Sequence, residues 1–238
     1  MSGHSKWATI KHKKAKEDSK RGKVFTKLIR EVTVAAREGG GDPDGNPRLR
    51  MILDKAREVN MPHDNIQRAI KKGTGGGEGA GYQPHTYEGY GVHGTAVIIE
   101  TLSDNKNRTV ADLRHVLTRM GGNLAENGAV AWQFEHKGVI RGQTSKTEDE
   151  LLEGLMSVDI DDISKHEDSV AIECKIHDLE AVRKITAAIG VKVEHAQFEW
   201  VAKSNLALND KEQEEQVFKM LEELEDLDDV QNVYTNLE

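Results

Sequence analysis

Cysteine is almost missing from this sequence: Cys174 stands alone in 238 residues. No internal disulfide can form, and no cysteine pair exists to build a structural zinc site. A reducing cytoplasm is the expected compartment. Long apolar runs are missing too. Ala96-Val97-Ile98-Ile99 stops at Glu100, far short of the roughly 18 residues a membrane helix needs. The N-terminus carries charge throughout and no apolar stretch, so it does not read as a secretory signal. No phosphate-binding G-x-x-x-x-G-K-[ST] loop occurs. The ten histidines form no H-E-x-x-H pair, and His85 and His93, beside a Tyr/Gly-rich turn, read as solvated loop residues rather than ligands. No Ser-His-Asp or Cys-His set stands out. These absences predict a protein that is not an enzyme, with no catalytic residue, no metal, no cofactor, no small-molecule substrate and no membrane partner.

Charge is plentiful, and its distribution is uneven. The formal net charge is −8, which looks wrong for a polyanion binder. Residues 1–80, however, hold 18 Lys and Arg against 10 Asp and Glu, and the remainder holds 15 against 31. Such an asymmetry says more about partners than the net value does. The basic end can attract a polyanion, while the acidic body limits indiscriminate sticking.

The apolar pattern divides the chain. Val24, Phe25, Leu28, Val32 and Ala35 or Ala36 follow helical spacing in a helix from about Asp18 or Ser19 to Glu38, closed by Gly39-Gly40-Gly41. A second helix is expected over Pro47–Asn60 and a third from Pro62 to about Lys72. Three short amphipathic helices bury their faces most economically as a bundle. Gly73–Gly81 reads as a flexible linker. Beyond it, Thr95–Leu102 and Ala129–Phe134 read as strands, with a helix over Thr109–Met120 between them. A β-α-β-β-α-β run follows, from Gly138 to Val201, in the order of ferredoxin-like domains. A last helix (Asp210–Leu224) and strand (Val230–Tyr234) have the elements to complete the earlier sheet. The expected fold is α+β in three domains. Residues 1–78 form a basic arm and helical bundle, and residues 82–135 plus 205–238 form a discontinuous α+β domain. Residues 136–204 form a ferredoxin-like domain inserted in it.

Gly89-Tyr-Gly91-Val-His-Gly94 fits G-x-G-x-x-G, but a strand follows where a dinucleotide site needs a helix, so it reads as a turn. Cys174 lies on the face of Val170, Ile172 and Ile176 and reads as core. The acidic stretch Glu222–Asp229 reads as a solvated helix face and cap. Residues 1–30 differ from all of these, with ten Lys and Arg and only Glu17 and Asp18 as acids. Lys6, Lys11, His12, Lys13, Lys14, Lys16, Lys20, Arg21, Lys23, Lys27 and Arg30 are candidate phosphate contacts, and Trp7 can stack on a base. Asn105, Lys106, Asn107 and Arg108 form a secondary candidate loop.

Gly3-His-Ser-Lys-Trp-Ala-Thr-Ile-Lys-His-Lys-Lys14 followed by Lys20-Arg-Gly-Lys-Val-Phe-Thr-Lys-Leu-Ile-Arg-Glu31 strongly resembles the start of the YebC family. Tyr87-Glu-Gly-Tyr-Gly91, Thr101–Thr109, Gly121-Gly-Asn-Leu124 and Ala129-Val-Ala-Trp-Gln-Phe134 continue the resemblance over essentially the whole chain. Val92-His93 departs from the family's Pro-Gly at the Gly-Tyr-Gly turn. The resemblance implies three domains: a helical bundle, a second domain, and a ferredoxin-like domain inserted into it. It also implies nucleic-acid binding and gene expression. Bacterial members are usually labelled transcriptional regulators, a mitochondrial relative is a translational activator for a cytochrome oxidase subunit, and bacterial relatives are implicated in carrying ribosomes through consecutive prolines. The leading expectation is a non-catalytic factor acting on ribosomal RNA or the ribosome as a translation regulator. A DNA-binding transcriptional regulator is the alternative, although the Gly39–Pro47 connection is too long for a helix-turn-helix. An enzyme with a cleft site, supported by the Tyr87–Gly94 turn and the Asp104–Arg108 loop, is the third reading.

Overall fold

The computed structural model describes residues 21–75 and 81–238. Helix α1 (Arg21–Gly39) ends where Gly40 takes a φ of +86°, a backbone geometry that glycine adopts without strain. Helix α2 (Pro47–Glu58) starts with proline at its first position, and the Asn46 side chain accepts the Leu49 N–H. Helix α3 (His63–Thr74) packs beside α1. Leu28, Val32, Leu49, Leu53, Ala56, Ile66 and Ala69 close a small core between the three. Gly73 corrects the linker expectation. It is helical and buried, because α1 crosses there so closely that a Cβ would strike the Thr33 carbonyl oxygen and lie 2.9 Å from the Ala36 Cβ. Thr74 ends α3 and Gly75 caps it, while residues 76–80 of the expected linker lie outside the described residues, as does the expected start of the first helix.

The remainder builds two four-stranded antiparallel sheets. The first runs in the order β3 (Asn123–Ala125), β1 (Gln83–Tyr90), β2 (Ala96–Ser103), β8 (Val230–Thr235). Both faces of β2 are buried: Val97 and Ile99 join the core of α4 (Lys106–Arg119) and α7 (Lys211–Glu225), and Ala96 and Ile98 pack on Val130, Phe134, Trp200 and Ala202. This is why β2 reads as a continuous apolar run rather than an alternating one. The second sheet runs in the order β5 (Asp162–His166), β6 (Ser169–Cys174), β4 (Phe134–Gln143), β7 (Lys192–Ala202). Helices α5 (Glu148–Leu155) and α6 (Leu179–Ala188) contribute Leu151, Leu155, Leu179 and Val182 to its core, beside Ile140, Ile172 and Cys174. Thr147 and Glu150 form a reciprocal capping box at the start of α5.

Three further expectations are corrected. Ala129–Phe134 is not a strand: residues 131–133 form a 3-10 turn and β4 begins at Phe134. The cause lies far away in sequence, because the buried Glu88 carboxylate accepts the N–H groups of Gly128, Val130 and Ala131 at 2.6–2.7 Å and curls the segment around itself. Asn105–Arg108 is not a loop, since Asn105 caps α4 and the other three form its first turn. Ile176 leaves the core face expected for it and lies exposed in a turn after β6.

Candidate nucleic-acid interface

Lys6, Trp7, Lys11, His12, Lys13, Lys14, Lys16 and Lys20 lie outside the described residues, and Arg21 opens α1. Lys23, Lys27 and Arg30 follow at positions that share a helix face. All three meet the C-terminal end of α7 or the loop that follows it. The Lys23 ammonium donates to the Asp226 carbonyl at 3.2 Å and lies 3.5 Å from its carboxylate. Lys27 donates to the Glu225 carbonyl at 2.6 Å. Arg30 donates to the Asp229 carboxylate at 2.8 Å, to the Leu102 carbonyl at 3.4 Å, and to the Asp228 carbonyl. The stretch expected as a solvated acidic cap is therefore a docking surface for α1.

Asp229 is the centre of this contact. Its side chain is 7% exposed and that of Arg30 is 12% exposed, so the pair is held in a medium where charge matters more than in water. Arg108 donates to Asp229 from the other side at 2.9 Å, and the Ser103 and Thr109 hydroxyls donate at 2.9 and 2.8 Å. Burial pushes the Asp229 carboxyl up, but the Arg108, Thr109 and Ser103 hydrogen bonds outweigh it and hold the carboxyl below its ordinary range. Arg108, expected as a nucleic-acid contact, is engaged by Asp229 and Asp104. Asn105, Lys106 and Asn107 remain exposed at the start of α4.

An open cleft of about 580 Å³ lies here, lined by Arg30, Arg108, Asp112, Asp228 and Asp229 among others. Its walls carry both charge signs, with the cations already facing carboxylates, so it offers little to a polyanion. No His/Cys/Asp/Glu group suited to a metal ion occurs among the described residues. His93, in the G-x-G-x-x-G segment, takes φ +60° in a 3-10 turn and hydrogen-bonds Gln216 at 2.7 Å. The turn leads into β2, not a helix, so no dinucleotide pyrophosphate cradle forms there.

Sequence reasoning missed the partners of α1, because they lie about two hundred residues away and no local pattern couples them. It also missed Trp132. The turn wrapped around Glu88 leaves that indole 68% exposed. Its N–H donates to the Ala129 carbonyl at 3.0 Å, and the Tyr90 hydroxyl donates to the same oxygen at 3.0 Å.

Residues 5–76 match the TACO1/YebC protein N-terminal domain, and residues 82–237 match the TACO1/YebC second and third domain. A "probable transcriptional regulatory protein" of Desulfosudis oleivorans is 49% identical over 237 residues, covering 99% of this chain and 96% of its own length. A protein of the same description from Chlorobium phaeovibrioides is 50% identical over 240 residues, covering 100% of this chain and 96% of its own. The crystal structure of a conserved hypothetical protein from Aquifex aeolicus superposes with a TM-score of 0.85 at 44% identity, over 94% of this chain and 93% of that one.

Proposed function

The chain belongs to the TACO1/YebC family, and from that membership we propose that it is a non-catalytic, nucleic-acid-binding regulator of gene expression. It acts through its basic N-terminal arm on ribosomal RNA or the ribosome as a translation factor. The observation that carries this reading is the charge asymmetry: ten Lys and Arg stand against two acids in residues 1–30, on a chain whose net charge is −8. Such an arm binds phosphates by releasing counterions and reads no base sequence. Lys6, Lys11, His12, Lys13, Lys14, Lys16, Lys20 and Arg21 are its phosphate contacts, with Trp7 stacking on a base. Lys23, Lys27 and Arg30 can join them only where α1 parts from the Glu225–Asp229 loop. A DNA-binding transcriptional regulator is the second reading, favoured by the description that the relatives carry. The cytoplasm is the proposed compartment. No described helix is long and apolar enough to cross a membrane.

We read three domains in this architecture: 1–78, 82–135 with 205–238, and 136–204. The last is taken as ferredoxin-like on the support of its β-α-β-β-α-β order and its sheet order β5-β6-β4-β7.

Binding of single-stranded RNA, hairpin RNA and duplex DNA, measured at several salt concentrations, tests the arm. Charge reversal at Lys13, Lys14 and Lys20 is expected to weaken binding and to lower the log–log salt slope by about 0.7–0.9 for each phosphate no longer neutralised. Trp7→Ala is expected to weaken it by roughly 1–3 kcal/mol with the slope nearly unchanged, since stacking releases few counterions. Unchanged affinity for every probe after deletion of the arm would return the basic run to a solvated tail.

A further inference from the structure

We propose that the outward face of α3, carrying Arg68, Lys71 and Lys72, is a second phosphate-contacting surface for nucleic acid. This rests on the reading that the chain binds nucleic acid, and it adds a site on the helical bundle that is distinct from the arm.

Spacing comes first. Positions 68, 71 and 72 share one side of a helix with 3.6 residues per turn, opposite the buried Ile66, Ala69 and Gly73. All three cations are exposed. Arg68 and Lys72 lie about 6 Å apart along the helix axis, close to two phosphate steps along one strand at about 3.4 Å of axis each.

Charge comes second. Among the described side chains of α1 and α2, the arginines already face carboxylates: Arg30 faces Asp229, Arg37 and Arg48 face Glu38, Arg50 faces Asp44, and Arg57 faces Asp54. Lys23 faces Asp226. On α3, Arg68 hydrogen-bonds the Asp64 carbonyl at 3.2 Å and the Asn65 side-chain oxygen, both uncharged. Among the described residues neither Arg68, Lys71 nor Lys72 has a carboxylate within ion-pair distance. The outward face of α3 thus carries three cations against one exposed acid, Asp64, in its first turn. The placement of Lys71 and Lys72 in the last turn also suits the helix dipole, but Arg68 lies a turn earlier and needs another explanation.

Order comes third. The Lys72 ammonium lies 5.3 Å from the centre of the Tyr82 ring, and the Arg30 guanidinium lies at the same distance. The Tyr82 carbonyl in turn accepts from Arg37 at 2.9 Å. Tyr82 therefore pins Lys72 at the edge of the bundle, so a phosphate meeting it needs to immobilise less side-chain freedom than with an ordinary surface lysine.

The test uses the full-length chain with Arg68→Gln, Lys71→Gln and Lys72→Gln together, against the same three nucleic-acid probes. The expected result is weaker binding with the salt slope lowered by about 0.7–0.9 for each phosphate left without its cation, at an unchanged melting temperature. If the triple variant loses stability, Gln67→Lys provides the second measurement: it adds a cation at an exposed neighbouring position and is expected to steepen the slope. Unchanged affinity and slope in the triple variant, while the arm variant still weakens binding, overturns the α3 surface and leaves the arm reading standing. Absence of binding to every probe by the unaltered chain at low salt overturns both.

Discussion

Asp229 shows how much can depend on one carboxylate. It holds Arg30 of α1 and Arg108 of α4 at once, with two hydroxyls donating to it. Removing it leaves the largely buried Arg30 cation with carbonyl partners but no carboxylate, which typically destabilises by several kcal/mol, whereas the half-exposed Arg108 contributes much less. Asp229→Ala is therefore expected to destabilise the full chain by about 3 kcal/mol in denaturant unfolding at neutral pH. The carboxyl titrates lower in the folded than in the unfolded chain, where an aspartate sits near 3.9. Its contribution is thus complete above about pH 4 and disappears as pH falls through the folded value. The stability gap between variant and parent should be constant from neutral pH to about 5 and should close in stronger acid. A gap that instead narrowed between pH 7 and 5 would assign the effect to another group. None of this is legible in the sequence, where Asp229 is one of a run of acids and its two arginines lie in other elements.

At the scale of elements, helices are the most readable, because their signals are local. Pro47 after a capping Asn46, Thr147 with Glu150 three residues on, and the glycines after α1 all act within a turn or two of where they stand. Strand β1 is not readable in this way. Gln83–Tyr90 carries Pro, His, Glu and Gly with no Val or Ile, and it is a strand because β2 pairs along its full length and β3 along its end. The 3-10 turn at residues 131–133 is likewise set by Glu88, forty residues earlier. Gly73 is the case where composition misleads: grouped with the glycines that follow it, it looks like linker, yet α1 and α3 touch through it. Gly73→Ala would gain about 1 kcal/mol of helix propensity, but its methyl would meet the Thr33 carbonyl and Ala36. The expected net loss is about 1–3 kcal/mol, with the bundle residues unfolding at lower denaturant. A variant as stable as the parent would mean that the α1–α3 crossing can widen without penalty. The arm is legible in the sequence from its run of lysines, whereas the α3 cations do not stand out there because three charges on an amphipathic helix look like an ordinary wet face.

For the molecule as a whole, the decisive feature is the return of the chain. α7 places Val217, Met220, Leu221 and Leu224 in the core under the first sheet, and β8 pairs with β2. Deleting residues 205–238 is expected to abolish amide-exchange protection in β1 and β2, because the sheet loses a strand and one of the two helices that cover it. Native-like protection of those amides in the truncated protein would reduce the tail to an appendage. The same return sets an order of events during synthesis. Residues 134–202 contain every strand of the second sheet and can pair as soon as they emerge, whereas β2 must wait for β8. At about 5–20 residues per second, the stretch from Ser103 to Val230 occupies the translating ribosome for on the order of ten seconds. For that interval β2, an apolar strand with one edge unpaired, is exposed to any other strand nearby. The edge that closes the finished sheet is thus the one most open to mispairing while the chain is being made.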